Sequence, residues 1–163
     1  MFRLSKGTDY GIRILAYLAR DAAGTTQNAR EVAEGLGLPV PMVSKVMKSM
    51  ARAGLLESHR GSKGGFHLSK RPSELSVADM IAALEGPVAL TECQIGPLLC
   101  QHEGNCSVQE PWSVINRAVR GTLATITLED LINPGFPATS PLLALQLTEP
   151  AGRSAAGPIG RTR

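Results

Sequence analysis

Residues 40–71, VPMVSKVMKSMARAGLLESHRGSKGGFHLSKR, decide the fold of the N-terminal half of this chain. Apolar residues recur there at the i, i+3, i+4, i+7 spacing of a helix that buries one face: Val43, Val46, Met47 and Met50. Gly54 ends this predicted helix. Strand-like runs at 55–59 and 66–68 flank the glycine-rich loop 60–65. Because glycine tolerates positive φ, these runs predict a β-hairpin.

The outer face of the same helix is polar and cationic. It presents Ser44, Lys45, Lys48, Ser49 and Arg52, with no acid among them. A helix of this kind fits the DNA major groove, and Arg60 and Lys63 of the hairpin suit the minor groove or backbone. Only one acidic residue, Glu57, lies between Val40 and Arg71. The alternative is a basic face that is merely solvated, but the combined features favour DNA binding.

Two further helices are predicted on the N-terminal side. The first runs from Thr8, as N-cap, to about Asp21, and Gly24 ends it. Its predicted buried stripe is Ile12, Leu15, Ala16 and Ala19. The second runs from about Ala29 to Leu36, between Asn28 and Gly37. Three short helices, the third of them basic, followed by a glycine-tipped hairpin predict a winged helix-turn-helix.

The C-terminal side predicts three more helices. One begins after Ser76, which forms a capping box with Asp79, and ends at Gly86. A longer helix starts at Pro111, and a short one follows Thr127. The apolar stripe of the long helix is Trp112, Ile115, Val119, Leu123 and Ile126. A small chain cannot bury this whole stripe by itself, although part of it can pack on the winged domain.

Three cysteines lie in the non-periodic segment 91–110, spaced C-x6-C-x5-C: Cys93, Cys100 and Cys106. Thiolates are soft ligands for iron–sulfur clusters, zinc or copper(I), and one flexible loop can bring all three to one centre. A zinc ribbon usually shows C-x2-C pairs, and the sequence has none. The pattern therefore favours a metal or cluster of unassigned nuclearity, with a redox-switch thiol pair as the alternative.

Length and composition exclude several classes of protein. The chain has 163 residues, 43% of them hydrophobic, which suits one domain with a tail and is too short for a barrel enzyme. The start of the sequence lacks the apolar stretch of a signal peptide, and the apolar runs are too short to span a membrane, so we expect a cytoplasmic protein. There is no C-x-x-C pair, nucleotide-binding loop or Ser-His-Asp arrangement, so we expect no enzyme.

Charge divides the chain into three parts. Residues 1–72 hold 12 Lys or Arg against 5 Asp or Glu, a net charge of +7, whereas residues 73–133 hold 2 against 8, or −6. This charge division is typical of a DNA-binding domain, here at 1–72, joined to a sensing or oligomerising segment at 73–133 that holds the cysteine loop and the C-terminal helices. The alternative is chance clustering of solvated charge. Residues 134–163 are rich in proline, glycine and small residues, which predicts a disordered tail.

The ordered motifs together resemble the Rrf2 family of winged-helix transcriptional regulators, which includes IscR, NsrR and RirA. The matching stretches are RLSKGTDYGIRIL, ARAGLLESHRGSKGGFHL, LSVADMIAALEG, the cysteine loop and TLEDLINP. Within the family the sequence is most similar to regulators of SUF iron–sulfur assembly genes. The resemblance implies a homodimer joined through the long C-terminal helix, which fits the apolar stripe that begins at Trp112.

The resemblance also implies an iron–sulfur cluster, [2Fe-2S] or [4Fe-4S], on Cys93, Cys100 and Cys106. The first spacing is six residues here, where relatives often have five. In the IscR branch a histidine three positions after the last cysteine is a ligand, but Gln109 occupies that position. In the NsrR branch an aspartate of the partner subunit serves, and Asp9 matches it. His102 and Glu103 are further candidates, as is a non-protein ligand.

We therefore predict a DNA-binding repressor that reports iron–sulfur status and controls SUF genes. Loss or modification of the cluster would change the spacing of the two recognition helices in the dimer and so the affinity for DNA. The alternative function is a thiol-based regulator that senses oxidants or nitric oxide without a stable cluster.

Overall fold

The computed structural model describes residues 3–20, 25–61, 64–97, 99–101 and 105–136. Several sequence predictions concern residues outside these ranges: Gly24, Lys63, His102, Glu103 and the tail from residue 137 onward.

The described chain is mainly helical with one two-stranded antiparallel hairpin, as predicted for a winged helix-turn-helix followed by a long helix. Short 3-10 turns at Pro72–Glu74 and Glu92–Gln94 precede the fourth and fifth helices. In chain order the elements are α1 (Lys6–Arg20), α2 (Ala29–Leu36), α3 (Val40–Arg52), β1 (Leu56–His59), β2 (Gly65–Leu68), α4 (Val77–Glu85), α5 (Gln109–Ala124) and α6 (Leu128–Ile132).

Local capping chemistry sets most of the helix ends where the sequence predicts them. The Asn28 side chain accepts hydrogen bonds from the backbone N–H groups of Arg30 and Glu31 and begins α2. Gly37 ends that helix in the left-handed region, with φ of 64°. The predicted capping box of Ser76 and Asp79 is confirmed at the start of α4.

The predicted start of α1 is wrong. The helix begins at Lys6, and Ser5 supplies the cap, since its Oγ accepts a hydrogen bond from the Thr8 backbone N–H at 3.2 Å. Thr8 is inside the first turn and buried. Both residues can cap a helix, and the choice depends on burial, which local sequence does not show.

The predicted stripe of α1 is also only partly right. Leu15 is buried, but Ile12, Ala16 and Ala19 are only half-buried. The face in the core is Thr8, Gly11, Ile14, Leu15 and Leu18. Gly11 belongs to this face because α4 crosses there: a Cβ on Gly11 would lie 2.7 Å from Leu84 Cδ1. Because α1 and α4 approach each other closely there, glycine rather than a larger apolar residue occupies position 11.

One continuous core joins the winged part to the segment that follows it. Leu75, Met80 and Leu128 are buried in the same cluster as the apolar residues of α1, α2 and α3. Two backbone hydrogen bonds close the connection: Val77 N–H donates to Ile126 O, and Leu128 N–H donates to Leu75 O, both at 2.8 Å. These bonds connect the end of α5 to the winged half of the chain. None of the described helices is both long and apolar enough for a transmembrane segment.

Candidate nucleic-acid interface and cysteine segment

Helix α3 has one buried face and one basic face, as predicted. Val43, Met47 and Met50 are fully buried, and Val46 is half-buried. On the other side Ser44 is half-buried, and the remaining predicted contacts are exposed: Lys45, Lys48, Ser49 and Arg52. This arrangement leaves a cationic and hydrogen-bonding helix face open to solvent, with the geometry required of a recognition helix.

The turn before α3 fixes how that helix is presented. Gly37 N–H donates to Glu34 O at 3.2 Å, and Leu38 N–H donates to Ala33 O at 2.9 Å. These bonds satisfy carbonyl groups at the end of α2 and reverse the chain within a few residues. The result is the helix-turn-helix geometry in which the second helix enters the groove.

The start of α1 lies next to the basic face, and sequence reasoning missed it. A cleft of about 350 Å³ lies between the two helices, and Lys6, Tyr10, Lys45 and Ser49 are among its lining residues. Lys6 adds a cation on this side of the molecule, and cations attract the phosphate groups of DNA. The candidate DNA surface therefore extends beyond α3. The motif LSKGTDY could have suggested this, because it places a lysine at a helix N-terminus.

The β-hairpin forms the predicted wing and is anchored by Gln27. Gln27 N–H donates to Phe66 O at 3.0 Å, and Phe66 N–H donates to Gln27 O at 2.9 Å. Gly65 is required at this contact, because a Cβ there would lie 2.7 Å from the Gln27 carbonyl carbon and oxygen. Arg60 directly follows β1 and is exposed, so the wing presents a cation near its tip.

The three cysteines are free thiols, all half-buried, in the segment between α4 and α5. Cys93 Sγ lies 3.2 Å from Thr91 Oγ1 and 3.9 Å from Gln94 Nε2. Thiols are the ligand chemistry that iron–sulfur centres use, and hydrogen bonds of this kind tune such ligands. The three sulfur atoms are not gathered, however. Among the described residues, the one group of three candidate ligands whose atoms lie within 4.8 Å of one another is Glu57, His59 and His67.

Asn116 fastens the start of the cysteine segment to α5, and the sequence analysis did not single it out. Its Oδ1 accepts a hydrogen bond from Leu90 N–H at 3.0 Å, and its Nδ2 donates to Val88 O at 3.4 Å. Asn116 is the buried residue of α5. A signal existed in the sequence, because Asn116 lies four residues after Trp112 and so interrupts the apolar stripe with an amide.

The apolar stripe of α5 remains largely uncovered. Trp112 is 39% exposed and Ile115 is 45% exposed, with Val119 and Leu123 half-buried further along. Ile126 follows the end of the helix and is buried within the protomer, so it does not belong to this surface.

Asp9, the proposed fourth ligand, is exposed in the first turn of α1, where a carboxylate also interacts favourably with the helix dipole.

Comparison with known proteins agrees with this geometry. The sequence profile of the Rrf2 family, described as an iron-dependent transcriptional regulator, matches residues 4–134. An HTH-type transcriptional regulator of Mycobacterium tuberculosis is 27% identical over 137 residues, covering 83% of this chain and 84% of the relative.

Two solved structures share the fold over most of both chains. CymR, the global cysteine regulator of B. subtilis, has a TM-score of 0.65 and 28% identity, covering 81% of this chain and 97% of CymR. IscR of T. potens has a TM-score of 0.62 and 26% identity, covering 85% of this chain and 91% of that one. The chain belongs to the Rrf2 family, and it is a winged-helix DNA-binding transcriptional regulator.

Proposed function

We propose that this regulator is a homodimeric repressor that senses iron–sulfur status and controls the SUF iron–sulfur assembly genes. The observation that carries the proposal is the position of the cysteines. Three free, half-buried thiols lie in one segment, and Asn116 joins the start of that segment to α5, the helix with an uncovered apolar face. A structural change at the thiols could therefore be transmitted through Asn116 to the proposed subunit interface on α5.

Cys93, Cys100 and Cys106 are the proposed ligands. When bound, an iron–sulfur centre supplies a redox-active group held by thiolates, and its reduction potential depends on hydrogen bonds to sulfur. Asp9 of the partner subunit is the first candidate for the remaining ligand, ahead of His102 and Glu103. A carboxylate from the partner would connect the thiol segment directly to the first helix of the other winged domain.

The exposed face of α5 is the proposed dimer interface, formed by Trp112, Ile115, Val119 and Leu123. A few well-packed residues near the centre of an interface, often including Trp, carry most of its binding free energy. A twofold dimer places two α3 helices in successive major grooves, about 34–36 Å apart. A shift of the cysteine segment moves α5 through Asn116, and with it the separation of the two recognition helices.

Anaerobic reconstitution tests the sensing role. A duplex selected from a random library with the reconstituted protein serves as the operator, and its affinity is compared between reconstituted and iron-free protein. We expect a difference of at least tenfold, because a shift of a few kcal/mol in the competent population is sufficient to switch a regulator. The control chain carries serine at all three cysteines and should show no iron-dependent difference.

Equal affinities in the two states would contradict cluster sensing. Preparations that hold no iron or sulfide, but lose DNA affinity on treatment with peroxide or nitric oxide, would instead support the thiol-based alternative. Control of SUF genes requires the reconstituted protein to bind the SUF promoter of its own genome more tightly than unrelated duplexes at the same salt concentration.

Single substitutions test the DNA face itself. Lys48→Ala should weaken binding about equally for all sequences and lower the salt dependence by about one phosphate contact. Arg117→Ala removes a cation from exposed α5, outside the proposed DNA surface, and should leave both quantities unchanged. The measurement is fluorescence anisotropy of a labelled duplex over a series of salt concentrations. Equal effects of the two substitutions would contradict the assigned DNA face.

A further inference from the structure

We propose that the wing carries a second metal site, in which Glu57, His59 and His67 bind a divalent cation of the Zn²⁺ type. Two imidazoles and one carboxylate are a ligand set that zinc uses with water in the fourth position. This site is separate from the cysteine segment. It lies on the wing, which the sequence predicts to contact DNA through Arg60 and Lys63.

The strand register assembles the three ligands. Glu57 is paired directly with His67 across the hairpin, and His59 is paired with Gly65. Residues two apart on a strand point to the same side, so Glu57 and His59 share a face and His67 is the diagonal neighbour of His59. Leu56 points to the other face and is buried.

The distances already suit a cation. Glu57 Oε2 lies 3.4 Å from His67 Nε2, and one ligand atom from each of the three residues lies within 4.8 Å of the others. Metal–ligand bonds of about 2.0–2.1 Å at tetrahedral angles put neighbouring ligand atoms about 3.3–3.4 Å apart. The imidazoles of His59 and His67 are stacked with centroids 4.9 Å apart. Because His59 and Glu57 are exposed, their side chains can rotate to complete the site.

His67 is half-buried, and its two ring nitrogens lie in different surroundings. Its Nδ1 is buried and has no hydrogen-bond partner in the described part of the chain. Its Nε2 contacts Glu57, whose side chain is exposed. Since no other hydrogen bond of the imidazole has to break, Nε2 can exchange its contact with Glu57 for a bond to a cation that Glu57 also binds.

The charge around the site gives the cation an effect on DNA binding. Glu57 is the one acid in residues 40–71, and Arg60 follows the site by one residue. A divalent cation neutralises Glu57 and makes the local charge positive. If the wing contacts DNA as the sequence predicts, metal binding strengthens the attraction of the wing to phosphates. The wing then responds to metal supply independently of the cysteines.

Zinc titration of the full chain tests the site. The three cysteines are replaced by serine to remove competing thiols, and ZnCl₂ is titrated calorimetrically and against a chelating dye. We expect one equivalent of Zn²⁺, bound at least tenfold more weakly by Glu57→Gln and by His59→Gln. His102→Gln removes the one histidine outside the wing and should not change the affinity. In the same cysteine-free chain with the wing residues unchanged, imidazole NMR signals of His59 and His67 should shift together at one equivalent.

The control for folding is circular dichroism, which should be unchanged because Glu57 and His59 are exposed. Absence of stoichiometric binding, or undiminished binding by both wing variants, would overturn the site and leave a simple Glu57–His67 contact. In a DNA-affinity assay, Zn²⁺ should raise the affinity several-fold. His59→Gln, which leaves the carboxylate of Glu57 in place, should remove that increase without changing the metal-free affinity. An affinity for DNA that does not change when Zn²⁺ is bound would overturn the regulatory role. Failure of the metal-free chain to bind DNA would count against the proposed function and leave the titration result intact.

Discussion

Helices α3 and α5 have apolar stripes of similar spacing, but only the stripe of α3 is buried within the protomer. In α3 the stripe at Val43, Met47 and Met50 is completely buried within the protomer. In α5, Trp112 and Ile115 remain 39% and 45% exposed, and the buried residue is the polar Asn116. Helical spacing therefore determines that each helix is amphipathic, but not which surface covers its apolar face.

The surroundings of the two helices explain the difference. Helix α3 contacts α1, α2, α4 and β1, whereas the main contacts of α5 are with α4 and the turn that contains Cys93. Helix α3 is therefore enclosed by its own chain. Helix α5 extends from the core and is suited to a second subunit, whose side chains would supply the missing contacts.

The largest effect should come from Met47→Ala in the enclosed helix. Met47 is fully buried, and its truncation removes apolar contacts and leaves a cavity, so the free energy of unfolding should fall by about 2–5 kcal/mol. Equilibrium denaturation measures this change. Lys48→Ala, one residue along on the exposed face, should have little effect on stability. A loss below about 1 kcal/mol for Met47→Ala would show that α3 is less enclosed than described.

Ile115→Asp should separate the subunits without unfolding them. A carboxylate at the centre of the apolar face of α5 has no partner there, so we expect the dimer dissociation constant to rise by at least a hundredfold, or about 2.7 kcal/mol. Sedimentation equilibrium measures the dissociation constant, and circular dichroism monitors helix content.

A matched control is available on the same helix. Val114→Asp changes a residue that is also exposed but lies about 100° around the helix from Ile115. Its dissociation constant should change much less. If both variants dissociate equally, or neither does, the stripe at Trp112 and Ile115 is not the interface.

Asn116→Ala should loosen the cysteine segment. The substitution leaves the Leu90 N–H without its acceptor, and we expect stability to fall by about 1–3 kcal/mol. A colorimetric thiol reagent should also modify Cys93 faster than in the wild-type chain. Arg117→Ala, the exposed neighbour, should change neither quantity. An unchanged thiol reaction rate would contradict the proposed connection between this segment and α5.

The smallest effect should come from Thr127→Ala, where α6 ties the two regions together. Thr127 Oγ1 accepts a hydrogen bond from Asp130 N–H at 3.2 Å and donates to the Asp130 carboxylate at 2.8 Å. Loss of such a cap costs about 0.5–2 kcal/mol. Thermal unfolding at neutral pH measures it, and Thr127→Ser, which keeps the capping hydroxyl, is the control.

This last effect should also depend on pH. The Thr127 backbone N–H, followed by its hydroxyl, lowers the pKa of Asp130 in the folded state. A lowered pKa means that the carboxylate stabilises the fold fully above the ordinary aspartate pKa. The contribution is lost as the pH falls through the folded-state value. The stability difference between wild type and Thr127→Ala should therefore narrow in acid. A constant difference would show that the hydroxyl acts only through the Asp130 N–H.

Local rules predicted the parts of the fold that depend on local chemistry. The Asn28 and Ser76 caps, the Gly37 helix end and the hairpin around residues 60–65 follow from backbone and hydrogen-bonding preferences of a few adjacent residues. The basic face of α3 followed in the same way. Long-range packing was less predictable. The predicted buried stripe of α1 was partly wrong because Leu84 of α4 packs against Gly11, which has no side chain.

The candidate sites show the same difference between features set by local chemistry and features set by long-range contacts. The cysteine spacing is visible in the sequence because its chemistry is carried by one residue type in one segment. Glu57, His59 and His67 were not recognised as a group, because β2 must pair with β1 in one register before His67 lies opposite Glu57. Asn116 was missed because its partners, Val88 and Leu90, are far away in sequence.

The amino-acid sequence alone determined the identity and order of the helices, the position of the wing, the uneven charge and the thiol set, because propensity, capping and side-chain chemistry act over a few residues. Only the tertiary structure decided which apolar face is enclosed and which is left open. It also decided which polar atoms meet across strands and helices. Those outcomes depend on burial and register, which arise from contacts between distant parts of the chain.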